Sequence, residues 1–330
     1  MAQYMLMKRI INSTMQRFFS LSAIILLLST SLFSQTALEE YDPVENGAIQ
    51  VPFSVSETKK VYFSISNLQY QPSTGTWRFT PNQFDIVGTD NEKVSKKYTG
   101  WIDLFGWATS GYNKCYPYLT DCSMYPKGLI VLPNHRIIIN PFVPRSKNNY
   151  ANTYGHYNKF IKGTNYDWGF YNKIQNGGNQ KGLWRTLDEY EWRYLLYHRP
   201  NADSLYSPGS IILSDSSRVC GLILLPDGWN EPTLRFISQA KNYTTNSYSI
   251  DEWHDMQQHG AVFLPAAGYR YNTNVVADTQ SDFHPLGYYW TASNSNTDRA
   301  YYLHFELDNV NVTDRNVCWG HSVRLVQDVK

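Results

Sequence analysis

The chain has 330 residues, of which 42% are hydrophobic, 15% aromatic and only 17% charged. This composition excludes an intrinsically disordered protein and provides enough apolar residues for a large core. The formal net charge is +1, and the cations Lys8, Arg9 and Arg17 lie near the N-terminus. The rest of the chain is therefore close to neutral, without the charge excess that is typical of nucleic-acid-binding proteins.

Residues 1–37 are typical of a secretory signal peptide. The basic residues precede an apolar run at 21–33, and small or polar residues follow at 34–37. The run is short for a membrane span, although an uncleaved anchor is an alternative. We predict a signal peptide at 1–37, a short polar leader at 38–49 and an exported protein, secreted or at the cell surface. After signal cleavage we expect no insertion into a membrane.

The first part of the mature chain combines one clear strand with a long irregular region. Apolar and polar residues alternate over 61–66, as in a half-buried strand. Residues 94–182 are rich in Gly, Asn, Tyr and Trp and have almost no periodicity. Long irregular stretches are uncommon inside a domain, so we expect loops that are ordered by their aromatic contacts. Five tryptophans, three within this region and two just after it, are predicted to be core residues: Trp101, Trp107, Trp168, Trp184 and Trp192.

Capping patterns in the sequence predict two helices. The segment LDEYEWRYLLYHR has Thr186 as a candidate N-cap and Glu189 three residues later, and Pro200 ends it. The segment IDEWHDMQQH has Ser249 as its N-cap and Glu252 as the partner in a capping box.

The remaining elements are predicted to be strands, since apolar runs are separated by Asn, Ser, Asp and Thr. Strands followed by helices and then by several short strands indicate an α+β fold with antiparallel sheets. The predicted strands lie at 219–226, 261–265, 288–293, 300–307 and 321–328.

The four cysteines leave several arrangements open. Cys115 and Cys122 lie close together in a loop-like stretch and could form a local disulfide. Cys220 and Cys318 could pair or remain thiols. The sequence has no CxxC or Cys/His spacing of a structural zinc site.

Five motifs occur in order: GLWRTLDEYEWRYLL, GLILLPDGW, GAVFLPAAGYR, GYYWTAS and HSVRLVQD. Together they resemble the bacterial major-paralogous-domain family (Fib-succ-major), over nearly the whole mature chain. The resemblance implies one C-type lectin-like domain at 50–328, in which two helices flank small twisted antiparallel sheets and long loops carry the ligand surface. It also implies that strand 61–66 and strand 322–328 belong to one sheet.

The C-terminal region 284–328 resembles the variable proteins of diversity-generating retroelements. In such a region Tyr289, Trp290, Leu303, Phe305, Val323, Arg324 and Leu325 would be the framework. The Asn, Asp, Ser, His and Tyr residues between them fit a diversified surface, and they fit an ordinary surface loop equally well.

The ligand surface is predicted to lie within this region. Leu303 and Phe305 share one face of a strand, so Tyr302, His304 and Glu306 share the other, which we expect to be exposed. Trp290, Leu303, Phe305, Val323 and Leu325 should hold the sheet. The predicted ligand-binding residues are Asn294, Asn296, Asp298, Tyr302, His304, Glu306, Asp308, Asn309, Asn311, Asp314, Asn316, Trp319 and His321, with Tyr302 and Trp319 as the aromatic anchors.

These observations favour a binding module over an enzyme. We predict an adhesin-like or receptor-binding protein for a protein or glycan ligand on a cell or phage surface, with no catalytic residue, metal or cofactor. The alternative is an enzyme related to formylglycine-generating enzymes. That relationship would imply a close pair of cysteines that bind copper. Two further alternatives are a metal site at His304, Cys318 and His321, and calcium sites at residues 227–232 or at Asp308, Asn309 and Asp314.

Overall fold

The computed structural model describes residues 44–93, 95–118, 160–276, 285–295, 299–307 and 309–330, with the backbone of 129–131 and 137–139. Residues Pro43–Lys330 group into one compact unit. Within it Ala48 and Ile49 are fully buried, so the predicted leader at 38–49 is wrong from residue 44 onward. Residues 38–43 and the predicted signal peptide lie outside the described residues.

The N-terminal part consists of short hairpins. The pairs β1–β2, β3–β4, β5–β6 and β7–β8 are all antiparallel. Their bounds are β1 (Val44–Glu45), β2 (Ala48–Ile49), β3 (Phe53–Ser54), β4 (Lys60–Phe63), β5 (Leu68–Gln71), β6 (Thr76–Phe79), β7 (Leu129–Val131) and β8 (Ile137–Ile139).

The middle of the chain contains helix α1 (Trp168–Tyr171), strand β9 (Arg185–Thr186) and helix α2 (Glu189–Arg193), which continues as a π-helical turn at Tyr194–His198. The N-cap of α2 is Asp188, whose side chain accepts from the backbone N–H of Glu191, the partner in the capping box. The predicted cap at Thr186 is therefore wrong by two residues. Thr186 is instead a strand residue that pairs with Leu325.

A four-stranded sheet follows, in the order β12-β10-β11-β13. The predicted buried strand at 219–226 is confirmed as β11, one of the two interior strands of this sheet. Helix α3 begins after Ser249 in the predicted capping box with Glu252. The elements are β10 (Tyr206–Ile212), β11 (Arg218–Leu224), β12 (Ser247–Ser249), α3 (Ile250–Gln258) and β13 (Val262–Pro265).

The C-terminal strands belong to three sheets. Strands β14 and β15 form a hairpin, β16, β17 and β18 form a three-stranded sheet, and β19 is an interior strand of the sheet β3-β4-β19-β9. Strand β19 pairs with both β4 and β9, which confirms that the N-terminal and C-terminal strands share a sheet. Strand β18 was not predicted. The bounds are β14 (Tyr269–Tyr271), β15 (Asn274–Val276), β16 (Gly287–Asn294), β17 (Arg299–Glu306), β18 (Asn309–Asn316) and β19 (Leu325–Asp328).

The described architecture is thus mixed, with small and mostly antiparallel sheets and three short α-helices. This confirms the α+β class. None of the described helices has the length and apolar character needed to cross a membrane.

Aromatic side chains make up much of the interior. Trp107, Trp168, Trp184 and Trp192 are each at most 2% exposed, which confirms the prediction that they are core residues. Trp101 is only half-buried, and the Arg78 guanidinium lies 3.8 Å from its ring centre. In the region 94–182, the described residues are ordered around these rings, whereas much of the rest lies outside the described part of the chain.

Candidate functional site

The candidate site is built on the three-stranded sheet β16-β17-β18. Tyr288 lies opposite His304 and Trp290 opposite Tyr302, while His304 lies opposite Asn311 on β18. Directly opposed residues of an antiparallel pair project to the same face, and neighbours along a strand project to opposite faces. The sheet therefore has two faces of different composition.

One face is apolar and packed over the part that contains Leu303 and Phe305. Tyr289, Leu303, Phe305 and Val312 join a core cluster that includes Trp192. Gly287 also belongs to this face, because a Cβ at this position would lie 2.0 Å from the Phe305 ring. The prediction that Leu303 and Phe305 hold the sheet is confirmed.

The second face carries rings with polar atoms. The Tyr288 and Tyr302 rings stack at 5.4 Å, and Tyr288 lies 5.0 Å from the His304 ring. Tyr302 is only 4% exposed, so the expectation that it is an exposed anchor is wrong. Trp290 is on this same face, not on the opposite one as the predicted division of roles required.

Segments distant in sequence cover this second face. The backbone of His321 pairs with that of Phe105, and the N–H of Trp107 donates to the carbonyl of Val317. These contacts place the His321 ring 4.0 Å from Trp290 and 4.8 Å from Tyr302. His321 is consequently fully buried, whereas a surface position was predicted.

Burial determines the charge state of the two histidines. Desolvation lowers the pKa of His321 well below its usual value, and the positive Arg315 and the neighbouring His304 lower it further. Burial also lowers the pKa of His304, although the Glu306 carboxylate opposes this effect. Both rings are therefore neutral at neutral pH.

Several polar atoms of this face have no hydrogen-bond partner, although they are shielded from solvent. They belong to Asn311, which lies opposite His304, to Arg315, and to the two histidines. Buried polar atoms are nearly always paired in folded proteins, so a cluster of unpaired ones requires an explanation. The atoms are His304 Nδ1, Asn311 Oδ1, Arg315 Nε, and His321 Nδ1 and Nε2.

The rim beside these atoms is aromatic and partly exposed. The rings of Tyr269 and Trp319 stack at 4.6 Å, and Tyr271 lies 5.3 Å from Trp319 with 42% of its surface exposed. The Arg315 guanidinium lies 4.1 Å from the Trp319 ring centre. Three side chains already contact the Trp319 ring, which leaves less of it for a ligand than predicted. We call this rim, together with the second face, the aromatic face.

Tyr269, Tyr271 and Arg315 were missing from the predicted site. The alternating segment Tyr269–Tyr271 contained the signal, since it places both tyrosines on one side of a strand. Between them, the buried Arg270 donates to the carbonyls of Leu104 and Pro117 at 3.1 and 3.2 Å. These bonds fix the hairpin β14-β15 against the loop that covers the aromatic face.

The other predicted residues divide between the two faces. Glu306, Asn309 and Asn311 lie on the face of Tyr302 and His304, whereas Asp314 and Asn316 lie opposite Tyr301 and Arg299 on the other face. The prediction of one common surface is wrong because residues 309–316 form a strand rather than a loop, and a strand alternates its side chains.

The remaining predicted residues do not lie on an exposed surface or cannot be placed. Asn294 is buried, while Asn296, Asp298 and Asp308 lie outside the described residues. Asp314 accepts from the Nε of Arg299 at 2.8 Å, and this ion pair satisfies its carboxylate within the protein.

The structure does not contain either of the two disulfides that the sequence suggested. Cys318, next to Trp319, is disulfide-bonded, whereas Cys115 and Cys220 have thiol side chains. Neither a Cys115–Cys122 nor a Cys220–Cys318 disulfide is therefore formed; Cys122 lies outside the described residues. Burial raises the pKa of the Cys115 thiol to about 12. In the described part of the chain, no three His, Cys, Asp or Glu side chains are grouped as a metal site.

Comparisons with family models, with curated proteins and with solved structures found no match to the chain.

Proposed function

We propose that the protein is an exported binding module and that the aromatic face is its ligand surface. The observation that carries the proposal is the cluster of unpaired polar atoms of His304, Asn311 and Arg315, three half-buried residues, beside a partly exposed aromatic rim. Tyrosines provide contact area at low entropic cost, and unpaired donors and acceptors gain the most from a ligand that satisfies them.

The chemistry of the face fits a protein or glycan ligand on a cell or phage surface. Arg315 supplies a donor, Asn311 supplies an acceptor, and the neutral His304 imidazole can do either. Tyr271 offers an exposed ring edge or face for apolar contact. A ligand rich in hydroxyl or amide groups satisfies these requirements, because it presents donors and acceptors on an uncharged framework.

A matched pair of variants on β18 tests the proposal. Asn311 and Asn316 are both half-buried but lie on opposite faces of the sheet. On a glycan and protein array, Asn311→Ala is expected to weaken binding about 5-fold or more, whereas Asn316→Ala leaves it unchanged. Equal effects of both variants, or an effect of Asn316→Ala alone, contradict the assignment of the face.

A second matched pair separates ligand contact from general surface effects. Tyr271→Ala removes an exposed ring from the rim, and Tyr190→Ala removes one from helix α2, where Tyr190 is 59% exposed. Only the first is expected to weaken binding, by about 10-fold if the ring is a central contact.

We further propose a C-type lectin-like fold for the domain. It is supported by the adjacency of β4 and β19, by the two capped helices α2 and α3, and by the small sheets joined by long loops. An experimental structure with a different strand order would contradict it.

We propose that the module is exported, on the basis of its N-terminal sequence and of the disulfide at Cys318, since disulfides persist mainly in oxidising compartments. N-terminal sequencing of the secreted protein should find a start near residue 38, and a start before residue 25 would contradict signal cleavage.

Diversification of the C-terminal region is part of the same proposal. Buried Trp290, Leu303, Phe305, Val323 and Leu325 could hold the sheet while polar positions vary. A reverse transcriptase gene and a near-identical repeat that differs at adenines should lie near the gene, and their absence would contradict this part.

A further inference from the structure

A concave surface that shares no residue with the aromatic face lies at the sheet formed by β4, β19 and β9. It is a cavity of about 370 Å³, whose lining includes Lys59, Lys60, Lys162, Arg185 and Asp328. These residues are distant in sequence, and the pairing of β19 with both neighbouring strands brings them together. The lining therefore contains four cationic side chains and one carboxylate.

Arg185 is held between two carboxylates of different exposure. Its Nη1 donates to Glu191 at 2.8 Å, while its Nε and Nη2 donate to Asp328 at 3.0 and 2.6 Å. The Glu191 side chain is 7% exposed and that of Asp328 is 61% exposed. The guanidinium is therefore fixed from the inside by a buried partner, whereas the partner on the solvent side can be replaced without moving it.

Lys162 is oriented in the same way. Its ammonium contacts the carboxylate of Asp188 and lies 3.2 Å from Glu191 Oε1. Both carboxylates belong to the capping box of α2. Because the helix start fixes these two acids, Lys162 and Arg185 are held in place before any ligand arrives, and preorganised groups lose little entropy on binding.

Lys59 provides positive charge at the solvent side of the cavity. It is exposed and forms no ion pair with the described residues. Burial acts to raise the pKa of Asp328, but Arg185 lowers it, and Lys162 and Lys59 add smaller effects in the same direction. Lys60 is 3.4 Å from Asp227 and is partly neutralised. An anion in the cavity would thus meet Lys59 on one side and the Asp328-bound edge of Arg185 on the other.

We propose that this cavity binds a small oxyanion, whose oxygens replace the Asp328 carboxylate on Arg185. Guanidinium groups bind planar or tetrahedral oxyanions through paired N–H donors, and here the Nε and Nη2 donors are already aligned by a carboxylate. The volume is at the lower end of the range for small-ligand sites. Carboxylate, sulfate and phosphate share the required chemistry, and an acidic sugar is one source of it.

Isothermal titration of the mature protein at constant ionic strength tests the proposal. The probes are inorganic phosphate, sulfate and glucuronate, with glucose as the uncharged control. We expect saturable binding of at least one anion and none of glucose. Tighter binding of glucuronate would indicate that the natural ligand is an acidic sugar. Tighter binding of phosphate or sulfate would indicate a free inorganic anion or a phosphate or sulfate ester.

Two variants change the affinity in opposite directions. Asp328→Asn removes the internal competitor for Arg185, so anion binding should become about 5-fold tighter. Lys59→Ala should weaken it about 3-fold. Lys173→Ala, an exposed lysine outside the cavity lining, is the matched control and should have no effect.

Lys59 lies on the exposed side of the site, so its replacement tests binding even if Asp328→Asn lowers stability. Absence of saturable anion binding, or equal affinities of Lys59→Ala and the parent protein, would overturn the proposal. These outcomes are independent of the binding tests on the aromatic face.

Discussion

At the centre of strand β17 both faces of the sheet are buried, but different kinds of contact bury them. Leu303 and Phe305 pack into a cluster of mostly aliphatic and aromatic side chains. Tyr302 packs into another cluster with Tyr288 and Trp290, and polar atoms of His304 and His321 are enclosed with these rings. The first face contributes mainly apolar packing, whereas the second also encloses several polar side-chain atoms without hydrogen-bond partners.

The largest expected effect comes from truncating either face at the centre of β17. Tyr302→Ala and Leu303→Ala should each lower the free energy of unfolding by about 3 kcal/mol, because both side chains are buried. Denaturant titration measures both, with Asn309→Ala as an exposed control that should change stability by less than about 0.5 kcal/mol. A small effect of Tyr302→Ala would show that the aromatic face is open in solution.

Overpacking the apolar face should have the next largest effect. A Cβ at Gly287 would collide with the Phe305 ring, so Gly287→Ala should destabilise the protein by about 2 kcal/mol. Combining it with Phe305→Leu should recover part of this loss, which a double-mutant cycle would detect. Strictly additive losses would contradict the proposed contact.

The aromatic face should add a pH dependence that the apolar face lacks. The pKa of folded His321 lies below its ordinary value of 6.5, so the unfolded chain takes up a proton first on acidification. Its contribution to stability is complete above pH 6.5 and is lost as pH falls below that value. The difference in unfolding free energy between the parent protein and His321→Phe should therefore change with pH from 7.5 to 5.

Taking the difference in unfolding free energy between the parent protein and His321→Phe removes the contributions of other titratable groups. Burial raises the pKa of Asp103 and of Asp167 to about 6 from 3.8. Their contribution has the opposite sign, since it is present below pH 3.8 and is lost as pH rises toward 6. Both groups remain in the variant and cancel. A difference that is constant with pH would show that the His321 ring is not buried as a neutral group.

The smallest effect on stability is expected at the rim. Tyr271→Ala should change the free energy of unfolding by less than about 0.5 kcal/mol, because this side chain is 42% exposed. Thermal unfolding measures the change. A loss of several kcal/mol would place Tyr271 in the core and remove it from the candidate ligand surface.

Local patterns determined much of the fold. The cap at Ser249, the apolar run at 219–226 and the alternation in 300–307 act over a few residues, so α3, β11 and β17 could be predicted from neighbouring side chains alone. The same reasoning identified Leu303 and Phe305 as framework residues. Helix α2 was predicted with the wrong cap because both Thr186 and Asp188 fit the start of a helix, and only the pairing of β9 with β19 excludes Thr186.

Contacts between distant segments decided the site. Alternation predicts that Tyr302 and Leu303 project to opposite faces, but it does not determine whether the second face meets solvent. That depends on the backbone pairing of Phe105 with His321, which brings a loop and a C-terminal segment over the rings. The division of Asn311 and Asn316 between faces likewise required β18 to pair with β17, because side-chain direction is defined only once the backbone is hydrogen-bonded as a strand.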